Sequence, residues 1–159
     1  MSRQIAIYNS PLGKIRLTAE GDYLTGLVFA EDEKCVEGHS EALEKAKKWL
    51  DIYFSGKQPD FMPKVKLEGT EFQKRVWQLL GEIPYGETRS YSQFAEIIAK
   101  ERGLEKMSAR AVGTAAGKNP VLLIIPCHRL VGKNGQLTGF AAGVERKREL
   151  LKFEKGLLL

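Results

Sequence analysis

Hydrophobic and polar positions alternate through most of the first thirty residues, and turn residues interrupt the alternation twice. Three segments carry the pattern, at residues 4–8, 14–18 and 23–29. Proline and glycine stand in the first interruption and glycine in the second, where they favour reversal of the chain. Because successive side chains of a strand point to opposite faces, the alternation predicts an antiparallel β-meander.

From residue 40 to residue 54 the period changes to that of a helix. Ala42, Leu43, Ala46, Trp49 and Leu50 recur at helical spacing. The pattern predicts an amphipathic helix that covers one face of the sheet. Nothing in the first 55 residues indicates chemistry, and the acidic neighbours of the cysteine at position 35 disfavour its thiolate.

Four more helices are predicted beyond residue 69. Thr70 with Gln73 forms a capping box, and the pattern continues to residue 83 before a proline. Ser90 with Gln93 repeats the signature for a helix that runs to about residue 102. Ser108 caps a third helix, over residues 109–116, which the glycine at 117 closes. A basic final helix over residues 145–153 has Leu150, Leu151 and Phe153 as its apolar face.

The third helix of this group consists almost entirely of small residues. Together with its predecessor it suggests a helix-turn-helix, but Arg110 is its only long polar side chain. Small residues allow a helix to approach a narrow minor groove, with Arg110 entering the base stack. Plain helix packing through alanine and glycine explains the same composition, so both interpretations stay open.

The most apolar run, residues 121–125, predicts a short buried strand that Pro126 stops. Cys127 and His128 follow at its end. Adjacent residues of an extended chain point to opposite faces, so the thiol and the imidazole can cooperate only if the backbone turns or a water bridges them. A buried structural cysteine is the alternative interpretation.

Charge divides the chain unevenly. Residues 1–63 contain 8 Lys and Arg against 10 Asp and Glu, whereas residues 64–159 contain 17 against 10. The basic second part favours a polyanionic partner, although a solvated lysine-rich surface gives the same count. We expect a domain over 1–62, a linker over 63–69 and a second domain over 70–159. No segment indicates secretion or a membrane span, and no cysteine–histidine spacing indicates zinc.

Three motifs together resemble the 6-O-alkylguanine-DNA alkyltransferases, also called methylated-DNA–protein-cysteine methyltransferases. They are residues 110–113 (RAVG), 117–121 (GKNPV) and 125–130 (IPCHRL), and the resemblance runs from about residue 72 to residue 156. It implies an α+β fold with an N-terminal ribonuclease-H-like antiparallel sheet plus helix. The C-terminal part would be a winged-helix-like helix-turn-helix alkyltransferase domain.

The resemblance implies DNA repair by irreversible, stoichiometric transfer of an alkyl group from 6-O-alkylguanine to the protein's own cysteine. We also expect 4-O-alkylthymine as a substrate. The protein would bind double-stranded DNA in the minor groove and flip the damaged base, as a monomer, without cofactor or metal. It would act in the cytoplasm of a bacterium or archaeon, or in a eukaryotic nucleus.

The same resemblance implies a role for individual residues. Cys127 would accept the alkyl group, His128 would act as its base through a water, and Glu154 would orient His128. Tyr91 would hydrogen-bond the guanine leaving group and contact DNA, Asn119 would be a structural hinge, and Arg110 would be the finger that replaces the flipped base. Further DNA contacts would come from Ala109, Ala111, Gly113, Thr114, Ser90, Gln73 and Arg129, and a lesion pocket from Leu130, Phe140 and Ala141.

Some features depart from the family pattern, and other functions fit part of the sequence. The connection over residues 100–107 is longer than usual, and Phe140 stands where many members have tyrosine. A non-catalytic lesion-binding protein, an alkylation-sensing regulator and a thiol hydrolase using Cys127 and His128 are the alternatives. A hydrolase leaves the basic helix-turn-helix unexplained.

Overall fold

The computed structural model describes residues 3–31 and 37–156, so the cysteine at position 35 lies outside the described residues. Contacts group the chain into two compact units. The first contains the residues up to Leu67 together with Pro120–Ile124 and Gly156, and the second contains Glu68–Asn119 and Ile125–Lys155. No described helix has the length and apolar character needed to cross a membrane.

The first unit begins with the predicted meander. Strands β1 (Arg3–Ser10), β2 (Gly13–Glu20) and β3 (Tyr23–Phe29) form an antiparallel sheet in the order β1-β2-β3. Gly13 adopts a φ of 124°, which lets the first hairpin reverse in two residues. Ile15 and Leu17 alternate into the core of this unit. The prediction of an antiparallel meander is therefore confirmed.

Helix α1 (Glu41–Phe54) packs on this sheet. The Ser40 hydroxyl accepts a hydrogen bond from the Leu43 N–H at 3.1 Å, which satisfies a donor of the first turn. Leu43, Leu50 and Tyr53 are fully buried. The amphipathic pattern predicted this helix correctly, because its apolar stripe faces a sheet that also needs cover.

Two short segments extend the edge of β3. Leu24 donates its N–H to the Lys64 carbonyl at 2.8 Å and accepts from the Lys66 N–H at 3.0 Å. Leu27 likewise donates to the Pro120 carbonyl and accepts from the Leu122 N–H, both at 2.9 Å. Part of the segment predicted as a linker, residues 63–69, is thus hydrogen-bonded to the first unit.

The prediction of a strand over residues 121–125 is wrong. Val121 makes a bridge with Leu27, but the three residues after it form a turn in which Leu123 has a φ of 68°. All five side chains of the run are buried. A run of apolar residues reports burial on all sides, which a buried turn satisfies as well as a strand does.

The second unit is mainly helical. It contains α2 (Glu71–Gly81), α3 (Tyr91–Glu101), α4 (Ala109–Gly117) and α5 (Val144–Glu154), with a parallel pair of two-residue strands, β4 (Arg89–Ser90) and β5 (Leu130–Val131). Both predicted capping boxes and the Ser108 cap are present. Helix α4 packs against α2 and α3, and Trp77 of α2 donates its ring N–H to the Ala115 carbonyl at 2.9 Å.

Candidate functional site

A single 3-10 turn, Cys127–Arg129, presents the thiol and the imidazole. The Arg129 N–H donates to the Pro126 carbonyl at 2.9 Å, and the Cys127 N–H donates to the Ile125 carbonyl at 2.9 Å. Proline at the start of a tight turn has its φ already restricted and has no N–H to satisfy. The backbone turn on which cooperation of Cys127 and His128 depends is therefore present.

Asn119 closes the loop that leads into this turn. It follows α4, is 5% exposed, and donates from its side-chain amide to the Ile125 carbonyl at 2.7 Å. A buried amide that joins two points of one loop fixes the path of the chain between them. Asn119 thus links the end of α4 to the loop before Cys127.

Cys127 is almost completely buried, with 6% of its surface exposed. Burial raises the pKa of its thiol to about 11, although a hydrogen bond with Asn119 and the charge of Lys147 act in the opposite direction. The resting side chain is consequently a neutral thiol near neutral pH. Because the thiolate is the nucleophilic form, any reaction at Cys127 needs a nearby base.

His128, the next residue along the chain, is the candidate for this base. It is fully buried, and its Nε2 lies 2.6 Å from Oε2 of Glu154. Burial lowers the pKa of His128, with Glu154 opposing and Arg129 and Lys147 adding to the decrease. A neutral imidazole facing a carboxylate carries its proton on Nε2, which leaves Nδ1 as the basic nitrogen. Among the residues that the structure describes, Nδ1 is the buried side-chain polar atom without a hydrogen-bond partner.

Glu154 is the last residue of α5 and is 6% exposed, so it is neither beyond the helix nor a solvated terminal charge. Its Oε1 accepts from the Arg129 Nε at 2.8 Å and from the Gly86 N–H at 3.1 Å. Burial raises the pKa of this carboxyl, but its bonds with His128 and Arg129 outweigh burial and bring the pKa to about 2. Glu154 is therefore a permanent anion.

The structure gives Arg129 a different environment from the predicted DNA contact. Its side chain is 5% exposed, and its guanidinium binds both oxygens of Glu154 and, at 2.8 Å, the Ile83 carbonyl. A guanidinium buried against a carboxylate cannot reach phosphates outside the protein. The prediction that Arg129 binds DNA is therefore corrected. The sequence identifies Arg129 as basic but does not show that its side chain is buried.

A cavity of about 680 Å³ opens between α4 and the loop before α5. A Cβ added at Gly113 would lie 3.4 Å from the Tyr91 ring, so the small residue at this position lets α4 lie close to that ring. The ten residues that line it include seven of those predicted from the sequence: Tyr91, Ala109, Arg110, Gly113, Thr114, Phe140 and Ala141.

Nine of the sixteen predicted residues lie outside the lining of this cavity. Cys127 and Leu130 are buried and do not line the cavity. Ala111 lies on another side of α4. The rings of His128 and Phe140 are 6.4 Å apart between centroids, which connects the cysteine turn to the cavity wall. Gln73 and Ser90 cap their helices through their side chains.

Lys147 is a residue that the sequence reasoning missed. It is fully buried in α5, and its ammonium donates to the Leu130 carbonyl at 2.7 Å, the Thr138 carbonyl at 3.0 Å and the Tyr91 hydroxyl at 3.3 Å. The Tyr91 hydroxyl itself donates to the Thr138 carbonyl at 3.0 Å. Lys147, Leu150 and Glu154 recur at helical spacing, and this inward stripe was the signal that could have identified it.

No group of side chains in the described ranges suggests a metal site. Across residues 3–31 and 37–156, His, Cys, Asp and Glu side chains form no group of three that could hold an ion.

A two-unit α+β fold with a buried cysteine–histidine–glutamate site defines the class of protein, and comparison with known proteins gives the family. The model of the 6-O-methylguanine DNA methyltransferase DNA-binding domain matches residues 71–156, and that of the ribonuclease-like domain of the same proteins matches residues 5–67. The chain belongs to the 6-O-methylguanine DNA methyltransferase family.

Individual relatives agree over nearly the whole chain. Methylated-DNA–protein-cysteine methyltransferases of Methanosarcina acetivorans and Mycobacterium leprae are 44% and 42% identical, over 94% and 95% of this chain and 96% and 92% of their own. The crystal structure of Mycobacterium tuberculosis O6-methylguanine methyltransferase superposes with a TM-score of 0.83 at 39% identity, covering 99% of this chain and 96% of that one. The Mycobacterium tuberculosis OGT protein in complex with DNA gives a TM-score of 0.82 at 41% identity, covering 96% and 92%.

Proposed function

We propose that this protein repairs DNA by moving the alkyl group of 6-O-alkylguanine, and of 4-O-alkylthymine, irreversibly onto Cys127. The observation that carries the proposal is the buried Cys127–His128–Glu154 arrangement beside a cavity of about 680 Å³. Family membership supports the reaction class, and a DNA complex of a relative supports the partner. Each active molecule would act once, as a monomer.

Activation of the thiol follows from the protonation states of the site. His128 holds its proton on Nε2 against Glu154, so Nδ1 is available to take the thiol proton from Cys127. We propose that one water between Sγ and Nδ1 carries this proton. The imidazolium so formed is stabilised by the ionised Glu154, as a carboxylate stabilises a catalytic histidine in other nucleophilic sites.

The transfer step then balances. The sulfur electron pair forms the S–C bond, the C–O bond to the base breaks, and its electron pair leaves with the guanine oxygen. The proton held by His128 returns to the departing base, so guanine is restored and a neutral thioether remains at Cys127. A thioether has no facile route back to a thiol, which makes the reaction stoichiometric.

Tyr91 is proposed to donate a hydrogen bond from its hydroxyl to the developing charge on the base. In the structure this hydroxyl donates to the Thr138 carbonyl at 3.0 Å while Lys147 donates to it at 3.3 Å. A hydroxyl that accepts from an ammonium is a stronger donor, because the bonds of a chain polarise one another. Entry of a base would require Tyr91 to exchange its Thr138 partner for the base.

Access to the base is proposed to come from flipping. The target carbon of a paired guanine lies in the major groove, and α3 with α4 would act as a helix-turn-helix that docks small residues in the minor groove. Arg110 is exposed at the start of α4 and lines the cavity, where it could enter the vacated base stack. Exposed lysines and arginines of the second unit that are not held in ion pairs would supply affinity without sequence preference.

Mass spectrometry of the protein after incubation with a duplex carrying 6-O-methylguanine tests the proposal. The expected result is one added methylene per chain, on the peptide containing Cys127, with guanine restored in the duplex. Cys127→Ser is the matched control, which should bind the duplex but gain no mass. Binding by the wild-type protein without an adduct would instead identify a lesion-binding protein and reject the transferase.

A further inference from the structure

Every nitrogen of the Arg129 guanidinium is hydrogen-bonded, and the proposed mechanism gives this side chain no role. Its Nε donates to Glu154 Oε1 at 2.8 Å and one terminal nitrogen donates to Oε2 at 3.2 Å. The other terminal nitrogen donates to the Ile83 carbonyl at 2.8 Å, and the guanidinium lies 5.6 Å from the centroid of the Tyr85 ring. A side chain held on four sides in this way has one orientation.

The two oxygens of Glu154 are divided between partners by this contact. Oε1 receives Arg129 and the Gly86 N–H at 3.1 Å, whereas Oε2 receives Arg129 and is 2.6 Å from Nε2 of His128. A planar guanidinium that meets both oxygens fixes the plane of the carboxylate as well as its charge. Without it, the carboxylate could rotate about its last bond and present either oxygen to the imidazole.

From this geometry we propose that Arg129 is a positioning residue of the alkyl-transfer reaction, which clamps Glu154 against His128 and keeps the imidazole unprotonated until the thiol proton arrives. The proposal rests on the function proposed above. It concerns how the base is held ready, and Arg129 itself touches neither the thiol nor the base to be repaired.

The charges around His128 support this role from every side. Glu154 and Lys147 face it from α5, Arg129 and Cys127 flank it in its own turn, and Tyr85 lies next to the Arg129–Glu154 pair. Glu154 alone would raise the pKa of His128, and the positive charges of Arg129 and Lys147 lower it. A lone carboxylate would stabilise the protonated form of His128, and a protonated histidine could not accept the thiol proton. The positive charge of Arg129 opposes this effect of Glu154.

The test is the pH dependence of methyl transfer from a 6-O-methylguanine duplex, measured in single-turnover experiments with the full chain. For Arg129→Gln we expect the acid limb of the profile to move up by about one pH unit, which is about a tenfold loss of rate below that limb, and a lower plateau. Arg129→Lys keeps the charge but not the two-pronged contact, so its limb should stay near the wild-type position while the plateau falls.

Arg75→Gln is the matched control, because Arg75 also binds a glutamate through two nitrogens, Glu101, but on the surface between α2 and α3. Its profile should equal that of the wild type. An Arg129→Gln profile with an unmoved acid limb overturns the proposal, whether or not the plateau falls, since a lower plateau alone is what a purely structural residue would give.

Isotope-edited NMR of the wild-type chain decides the matter if neither Arg129 variant folds. Arg129 should show separate, slowly exchanging signals for its terminal N–H groups, and His128 should stay neutral with its proton on Nε2 below the ordinary histidine pKa of 6.5. His39, which is exposed, is the internal reference. Averaged guanidinium signals, or an imidazole that titrates at or above 6.5, overturn the proposal. A wild-type protein that passes this test but transfers no methyl group rejects the proposed function and leaves the clamp in place.

Discussion

The second unit contains two regions that differ in how their groups are held. In the buried centre, Arg129 is bonded to both oxygens of Glu154 and His128 to one of them, and each of these side chains is at most 6% exposed. On the cavity wall, Arg110, Thr114 and Ala141 are exposed, and small residues of α4 face a loop. Under the proposed function, the charges for chemistry would be fixed before substrate arrives, whereas recognition would use surfaces that solvent can still reach.

Changes in the buried centre should have the largest effect on rate. His128→Ala and Glu154→Gln remove the base and the charge that stabilises its protonated form, and general-base contributions are typically about 10²–10⁴-fold. We expect losses in that range for His128→Ala and a smaller one for Glu154→Gln, measured as single-turnover transfer to Cys127. Equal rates for wild type and His128→Ala would show that the thiol does not depend on the fixed centre.

Acid should destabilise the protein through the same centre. The pKa of Glu154 falls from its ordinary 4.5 to about 2 in the fold, so its stabilisation is complete above about pH 5 and is lost as the pH falls toward 2. The shift corresponds to a free energy on the order of 3 kcal/mol. His128, with a lowered pKa, adds to the loss because the unfolded chain binds a proton more readily. Urea unfolding between pH 7 and pH 3 measures this, and Glu154→Gln should flatten the curve.

Lys147→Met should cost stability and make the thiol harder to ionise. The buried Leu130 carbonyl would lose its ammonium donor, at about 1–3 kcal/mol, while the Thr138 carbonyl would keep the Tyr91 hydroxyl. Loss of the positive charge also raises the pKa of Cys127 further, because Lys147 now lowers it. Thiol titration by absorbance, with urea unfolding beside it, measures both effects. An unchanged thiol pKa would separate Lys147 from the fixed centre.

On the cavity wall, Arg110→Ala should slow transfer from duplex DNA about tenfold, since a compensation worth about 1–2 kcal/mol for lost stacking disappears. Transfer from free 6-O-methylguanine base should not change, because no stack has to be filled. Both rates come from the same mass-spectrometric assay. Equal slowing of both substrates would place Arg110 with the chemistry instead of with recognition.

The smallest effect is expected for Gly113→Ala. The new Cβ would lie 3.4 Å from the Tyr91 ring, an ordinary contact, while alanine in a helix is favoured over glycine by about 0.5–1 kcal/mol. The protein should become slightly more stable in thermal unfolding and transfer from duplex DNA should slow a few-fold, because α4 can no longer approach DNA as closely. A loss of stability would mean that the cavity wall is as tightly packed as the centre.

Local signals predicted most of the fold. The side chains of Ser40, Thr70, Ser90 and Ser108 bond to the first turns of their own helices, so the sequence around each cap contains the whole interaction. The run at residues 121–125 could not be assigned in the same way, because its turn depends on a pairing with Leu27, far away in the chain.

The site divides along the same line. Cys127, His128 and Asn119 stand in contiguous motifs, and their resemblance to a known family placed them. The burial of Lys147 and Arg129 was missed because a basic residue has the same appearance in a sequence whether it faces solvent or a buried carboxylate. Only the packing of α5 against the cysteine turn distinguishes the two cases.

The high pKa of Cys127, about 11, also bears on how long an unused molecule keeps its capacity. Oxidants and small electrophiles react with thiolates far faster than with thiols. A cysteine that acts only once, as proposed here, is inactivated by any such reaction. Burial therefore protects the unused sulfur, which reacts slowly while it is a thiol. In the proposed mechanism it becomes reactive only when His128 removes its proton. The protonation of the Cys127 thiol thus determines both how long the unused protein stays active and how readily the sulfur reacts.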